Sequence, residues 1–153
     1  MTMLWNPVAR RIFLYRGIRD RLGTHAITIY GGVQPSAVDF AANWAASYTS
    51  ANPNFLGHYP GAVWAMPDTN SDACSLTLPA AQNAVNSGTA AWGILWMANP
   101  LLAAMGGALP TTSFIVVPAS ASGGAGVIQF TSAVFTAAAS KAILSGSILV
   151  GGT

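Results

Sequence analysis

From residue 73 to residue 140 the chain carries no charged side chain, and glutamate is absent from all 153 residues. A free-standing soluble domain carries about a quarter of its residues as charges, which keep its surface wet and non-adhesive. Here the charged fraction is 7%, the hydrophobic fraction is 52%, and there are 16 glycines. A surface built from this composition is tolerable when most of it is covered by lipid, by other copies of the chain, or by a larger assembly. The composition therefore constrains packing and assembly more than chemistry, and it points away from an enzyme.

The length predicts one domain able to bury a real core. It divides into a basic helical arm over residues 1–24 and a single β-rich domain over residues 25–153. Cys74 is the one cysteine, which excludes an internal disulfide and fits a buried or interface thiol. The formal charge is +2, and Arg10, Arg11, Arg16, Arg19 and Arg21 supply five of the six basic groups. The opening MTMLWNPVARR has no apolar core after a basic start and does not read as a secretory signal.

The arm is the clearest helix. Asn6 can cap it, Pro7 suits its first position, and Gly23 stands where it stops. Val8, Ile12, Tyr15, Ile18 and Leu22 recur at spacings of three and four and form an apolar stripe. Arg16 and Asp20 are one turn apart and can pair. Gly17 weakens the interior, so the helix depends on docking. The arginines can serve phosphates or acidic and carbonyl groups of a neighbouring subunit. No nucleic-acid motif accompanies them, so the expectation is a partner-facing protein helix.

Thr89–Leu109 is uncharged and long enough for a hydrocarbon core of about 30 Å. Asn99-Pro100 interrupts it, Gly106-Gly107 follows, and no Lys or Arg flanks it to anchor a cytoplasmic side. A membrane span is therefore the weaker reading.

After Gly23 the pattern becomes β. His25–Tyr30 alternates and ends at Gly31-Gly32 and Pro35. Ser36 with Asp39 predicts a short helix whose Phe40, Trp44 and Tyr48 line one face. Pro53 and Pro60 predict a loop around Phe55 and His58. Strands are expected at Gly61–Met66, Cys74–Leu78 and Thr89–Met97, the last with Trp92, Ile94 and Trp96 on one face. Further strands are expected at Thr112–Val117, closed by Pro118, and at Val127–Phe130 and Ile143–Val150, with a Ser/Gly loop over Ser120–Gly126. The fold class is mainly β: a β-sandwich or partly open barrel, with the helical arm and a short additional helix.

Catalytic and metal signatures fail one by one. Asp68–Asp72 begins like a calcium loop, but Ala73 stands where that loop needs glycine and Pro79 where it needs a bidentate glutamate. An Asx-rich turn explains it. His25 and His58 lack zinc spacing, and Cys74 is a lone thiol. No G-x-S-x-G elbow occurs, and Ser122–Gly126 lacks the lysine of a phosphate loop. Neither catalytic residues, nor a cofactor, nor a metal is expected. The five tryptophans read as core or interface anchors rather than a sugar platform. Trp5, Trp44, Trp92 and Trp96 are the candidate interface anchors, beside the partner-binding arginines of the arm.

Ile27-Thr-Ile-Tyr30, Gly32, Gln34-Pro35 and Gly88-Thr-Ala-Ala-Trp92, after an arginine-bearing helix and before a Ser/Thr/Gly-rich β end, resemble a loose family of small tailed-bacteriophage virion proteins. The sharp part of the match is the short run ending at Pro35; the Asn52–Pro60 loop and the apolar centre depart from the pattern. The resemblance implies a non-enzymatic structural subunit of the virion, foremost a capsid decoration (cement) protein. Its partners would be copies of itself and other virion proteins, above all the major capsid protein, with no small-molecule substrate, no nucleic acid and no membrane. A tail component (tube, baseplate or fibre attachment) is the alternative, and a small holin-type membrane protein the second.

Overall fold

The computed structural model describes residues 25–65, 73–96, 114–124 and 126–149. Strand β1 (His25–Gly31) forms the spine. Its alternation sends Ile27 and Ile29 into one apolar cluster and Ala26 and Tyr30 into another, because successive strand side chains point to opposite faces. Gly32, at φ +77°, turns the chain out of the strand in a conformation that costs glycine little. Helix α1 (Ala37–Ala42) follows, capped by Ser36, whose Oγ accepts from the Asp39 amide. A π-helical turn over Trp44–Tyr48 continues it. The expected aromatic face holds: Phe40 and Trp44 are buried, and Tyr48 packs against their cluster.

The other strands are β2 (Phe55–Ala65), β3 (Ala73–Thr77), β4 (Gln82–Asn83), β5 (Gly88–Trp96), β6 (Phe114–Ala121), β7 (Ile128–Phe130), β8 (Val134–Phe135), β9 (Ser140–Lys141) and β10 (Ser145–Leu149). The fold is mainly β, a curled half-barrel sheet with two short helical segments; of the two expected architectures, this corresponds to the partly open barrel. The sheet runs in the order β1-β2-β3-β10-β7-β6-β5-β8, and β1 also pairs with β5. The wall is thinnest at β7, which joins β6 through three parallel pairs and β10 through two antiparallel ones. Strands β4 and β9 form a separate two-stranded ribbon.

Two cores share the β1–β5 wall. Ile27, Ile29, Leu56, Tyr59, Leu95, Val117, Ile128, Phe130, Phe135 and Ile143 belong to the inner one. The outer one is aromatic, with Tyr30, Phe40, Trp44, Phe55, Trp92 and Trp96 beneath α1 and the π-turn. Trp92, Ile94 and Trp96 share that outer face as their alternation predicts, and Leu95 points to the inner core. Gly93 lets β1 and β5 meet closely: a Cβ there would stand 2.8 Å from the Thr28 carbonyl oxygen.

Several expectations need correction. The region around Phe55 and His58 is not a loop but the first half of β2, paired with β1 from Tyr30↔Phe55 to His25↔Ala62. Pro60 is tolerated because the register shifts there and Gly61 takes φ +78°, a bulge that turns β2 away from β1 and towards β3. Pro118 does not close β6, which runs on to Ala121. It sits opposite Trp92, and its carbonyl accepts from the Val127 amide, so no ladder bond needs the N–H that proline lacks. Strands β4, β8 and β9 carried no sequence signal. The reading of Thr89–Leu109 as a membrane helix fails over its first part, since Thr89–Trp96 lies in paired strand β5. Among the described residues no helix is long and apolar enough to cross a membrane.

Candidate functional site

Of the candidate interface anchors, Trp44, Trp92 and Trp96 lie inside the chain, exposed by 3%, 1% and 0%. Tyr30 stacks on Trp92 at 4.3 Å, while Phe40 and Trp96 meet Trp44 edge-on at 5.5 and 5.9 Å. The indole N–H groups are used internally too: Trp92 Nε1 donates to the Gly31 carbonyl (3.1 Å) and Trp96 Nε1 to Thr28 Oγ1 (2.7 Å). These rings spend their area holding α1 and the π-turn on the β1–β5 wall, because a helix too short to stand alone needs such a face. Trp5 and the arm arginines Arg10, Arg11, Arg16, Arg19 and Arg21 lie outside the described residues.

Among the described residues, the buried polar side chains apart from tyrosine and tryptophan are Thr28, Thr49 and His58. Thr28 and His58 stand directly opposite each other on β1 and β2, with Thr28 Oγ1 3.0 Å from His58 Nδ1. A hydroxyl beside an imidazole has the reach of a nucleophile and its base. Here Thr28 is 0% exposed and already accepts from Trp96, so the trio acts as a sealed link between β2, β1 and β5. A hydroxyl has one proton and two lone pairs, so it can bridge the two rings with His58 in either neutral tautomer. Sequence offered no sign of this trio, since strand pairing alone brings its members together.

The inner core holds a different polar atom. The Tyr59 hydroxyl is buried and has no hydrogen-bond partner among the described residues, while its ring lies 6.2 Å from that of Phe130. Burial pushes the Tyr59 phenol well above its ordinary 10.0. Burial, reinforced by Tyr48, does the same to Tyr30, whose hydroxyl donates to the Tyr48 carbonyl at 3.0 Å. Among the described residues no three His, Cys, Asp or Glu side chains gather as metal ligands. The run Asp68–Asp72 lies outside them.

What distinguishes the molecule is its surface. Asp39 and Lys141 are the only Asp, Glu, Lys or Arg residues among the described positions. Lys141 is engaged locally, its Nζ donating to the Val134 carbonyl at 2.8 Å and lying 5.2 Å from the Phe135 ring centroid. The exposed large apolar side chains include Val33 (91%), Val38 (78%) and Val134 (59%), together with Val63, Leu78, Val85, Ile115 and Leu144. On α1 and the π-turn the exposed positions are Ala37, Val38, Asp39, Ala41, Ala42, Asn43, Ala45 and Ala46. Asp39 Oδ2 accepts from Ser36 Oγ at 2.6 Å. Solvent-facing helix positions are commonly charged; here Asp39 and Asn43 are the polar side chains and the rest are alanines and one valine.

Comparison with protein-family models, with curated proteins and with solved structures finds no match for this chain.

Proposed function

We propose that this protein is a non-enzymatic structural subunit that works inside a larger assembly, and that the assembly is a tailed-bacteriophage virion, with the chain serving as a capsid decoration (cement) protein. The observation that carries the assembly reading is the surface of the described residues: one acid, one base, and a set of exposed valines and leucines. Such a surface is adhesive in isolation and suited to permanent contact, where apolar area is buried and charges are few. The virion assignment rests on the resemblance around Ile27–Pro35 and Gly88–Trp92. In this reading the arginine-bearing arm docks on a neighbouring subunit, and the half-barrel supplies a rigid body.

The test is the native mass of the protein in detergent-free buffer, measured by sedimentation. A soluble monomer or small discrete oligomer supports a subunit that docks on a preformed particle. Rings or tubes point to a self-assembling shell or tail component. Material soluble only in detergent overturns the assembly reading. Immunogold labelling of intact particles then separates head from tail, and particles without label refute the virion assignment.

A further inference from the structure

We infer that Lys141 is a gate on the free end of the large sheet: its ammonium group occupies the outer edge of β8 and withholds that edge from the β8 of a second copy. The strand order ends at β1 and at β8. At the first end, β1 pairs with both β2 and β5, so its two edges are taken. Among the described residues β8 pairs with β5 alone. Its other edge is where a further strand can add by backbone hydrogen bonding.

The register fixes which backbone groups face that edge. Val134 stands opposite Thr89, and the Ala90 amide donates to the Ala133 carbonyl at 2.8 Å. A bond between the residues flanking the pair marks Thr89 and Val134 as a non-hydrogen-bonded pair. The N–H and C=O of Val134 therefore point away from β5. Both are plugged from within the chain: Ser132 Oγ accepts from the Val134 amide at 3.2 Å, and Lys141 Nζ donates to the Val134 carbonyl at 2.8 Å. Lys141 reaches there from β9, which pairs with β4 in the separate ribbon. Its Nζ lies 5.2 Å from the Phe135 ring centroid, where the aromatic face steadies the cation.

A second copy fits the uncovered edge because the edge is self-complementary. Around a two-fold axis at Val134, two antiparallel β8 strands match donor to acceptor, each Val134 N–H meeting the other's C=O. The valine side chain, 59% exposed, then meets its own copy across the axis. With Lys141 in place the carbonyl is already taken. Each copy also brings its ammonium group to the same axis, so two like charges oppose the approach. The gate acts on the chain itself and holds whether or not the chain works in an assembly.

The test compares the full-length protein with Lys141→Met, which removes the ammonium group and keeps an unbranched stem, and with Lys141→Arg, which keeps a donor. Circular dichroism checks that both fold. Acetylation of the folded wild type, whose one lysine is Lys141, makes the same neutralisation without a mutation. Sedimentation across a concentration series should show self-association about tenfold or more stronger in Lys141→Met and in the acetylated protein, as two new backbone hydrogen bonds allow. Lys141→Arg should match the wild type. Adding Val134→Cys locates the contact: the paired Cα atoms stand about 5.5 Å apart, within the span of a disulfide. Under oxidation, Lys141→Met with Val134→Cys should give a cross-linked dimer, and Val134→Cys alone should not. The wild type, with Cys74 as its one thiol, supplies the background. Association unchanged by neutralising Lys141 overturns the gate. So does stronger association without a cross-link at residue 134, and so does a cross-link that forms equally well with Lys141 in place.

Discussion

Replacing Tyr59 by phenylalanine should make this protein more stable. The Tyr59 ring is fully buried, and its hydroxyl has no hydrogen-bond partner among the described residues. A buried polar group that loses water without gaining a partner costs about 1–3 kcal/mol. Phenylalanine removes that cost and keeps the ring against Phe130. The space vacated is that of one oxygen, roughly 10 Å³, for which a cavity penalty of ~0.2 kcal/mol applies. The net expectation is a gain of about 1–2 kcal/mol, or a rise in melting temperature of about 2–8 °C for a chain of this size. Urea unfolding followed by tryptophan fluorescence reads the change as a higher midpoint with an unaltered slope. A loss of about 1 kcal/mol or more would refute the reasoning, because it would mean the hydroxyl makes a bond, to a trapped water or to another group, that the phenylalanine cannot make.

Three further outcomes follow from the same geometry. Tyr30 and Tyr59 are both held protonated in the folded state, with pKa values raised above the ordinary 10.0. The unfolded chain therefore binds fewer protons above pH ~10 than the folded chain, and stability should fall by about 1.4 kcal/mol per pH unit for each of the two; urea midpoints between pH 8 and 11 should be flat at first and then fall, with about half the slope in Tyr59→Phe. Gly93→Ala should cost about 1–3 kcal/mol or more by pressing its Cβ on the β1 backbone, whereas Gly88→Ala meets only the Leu56 side chain at 2.9 Å and should cost less; thermal melts of both variants decide it. Trp96→Phe deletes the donor to Thr28 Oγ1 and should cost about 1–3 kcal/mol, read as a lower urea midpoint, and an unchanged midpoint would show that the link to His58 carries no stability.

Much of the fold was written locally. The alternation of His25–Tyr30 and Thr89–Trp96 placed β1 and β5 and assigned Trp92, Ile94 and Trp96 to one face, because a period of two is a property of the strand itself. Ser36 and Asp39 marked the start of α1 for an equally local reason, the competition of a hydroxyl with water for a free helix amide. Pro60 and Pro118 misled the reading. Proline weakens a strand only where its missing N–H is needed, and which amides are needed depends on neighbours distant in sequence. Strands β4, β8 and β9 are each two residues long and exist only because a partner passes nearby.

The tryptophans show the same division. Their size and number predicted anchors, but whether an anchor faces the core or a neighbour depends on what covers it. The segment Ala37–Tyr48 folds back over β1 and β5 and buries Trp44, Trp92 and Trp96 within the chain. The Thr28–His58–Trp96 link and the stranded Tyr59 hydroxyl are likewise products of strand register. By itself, the sequence determined that this protein has a β-rich body with very few charges between residues 25 and 153, since composition and periodicity are local and additive. Tertiary structure alone decided which aromatic groups are inside, which polar atoms find partners and which apolar face is left bare, because each of these depends on the approach of segments tens of residues apart.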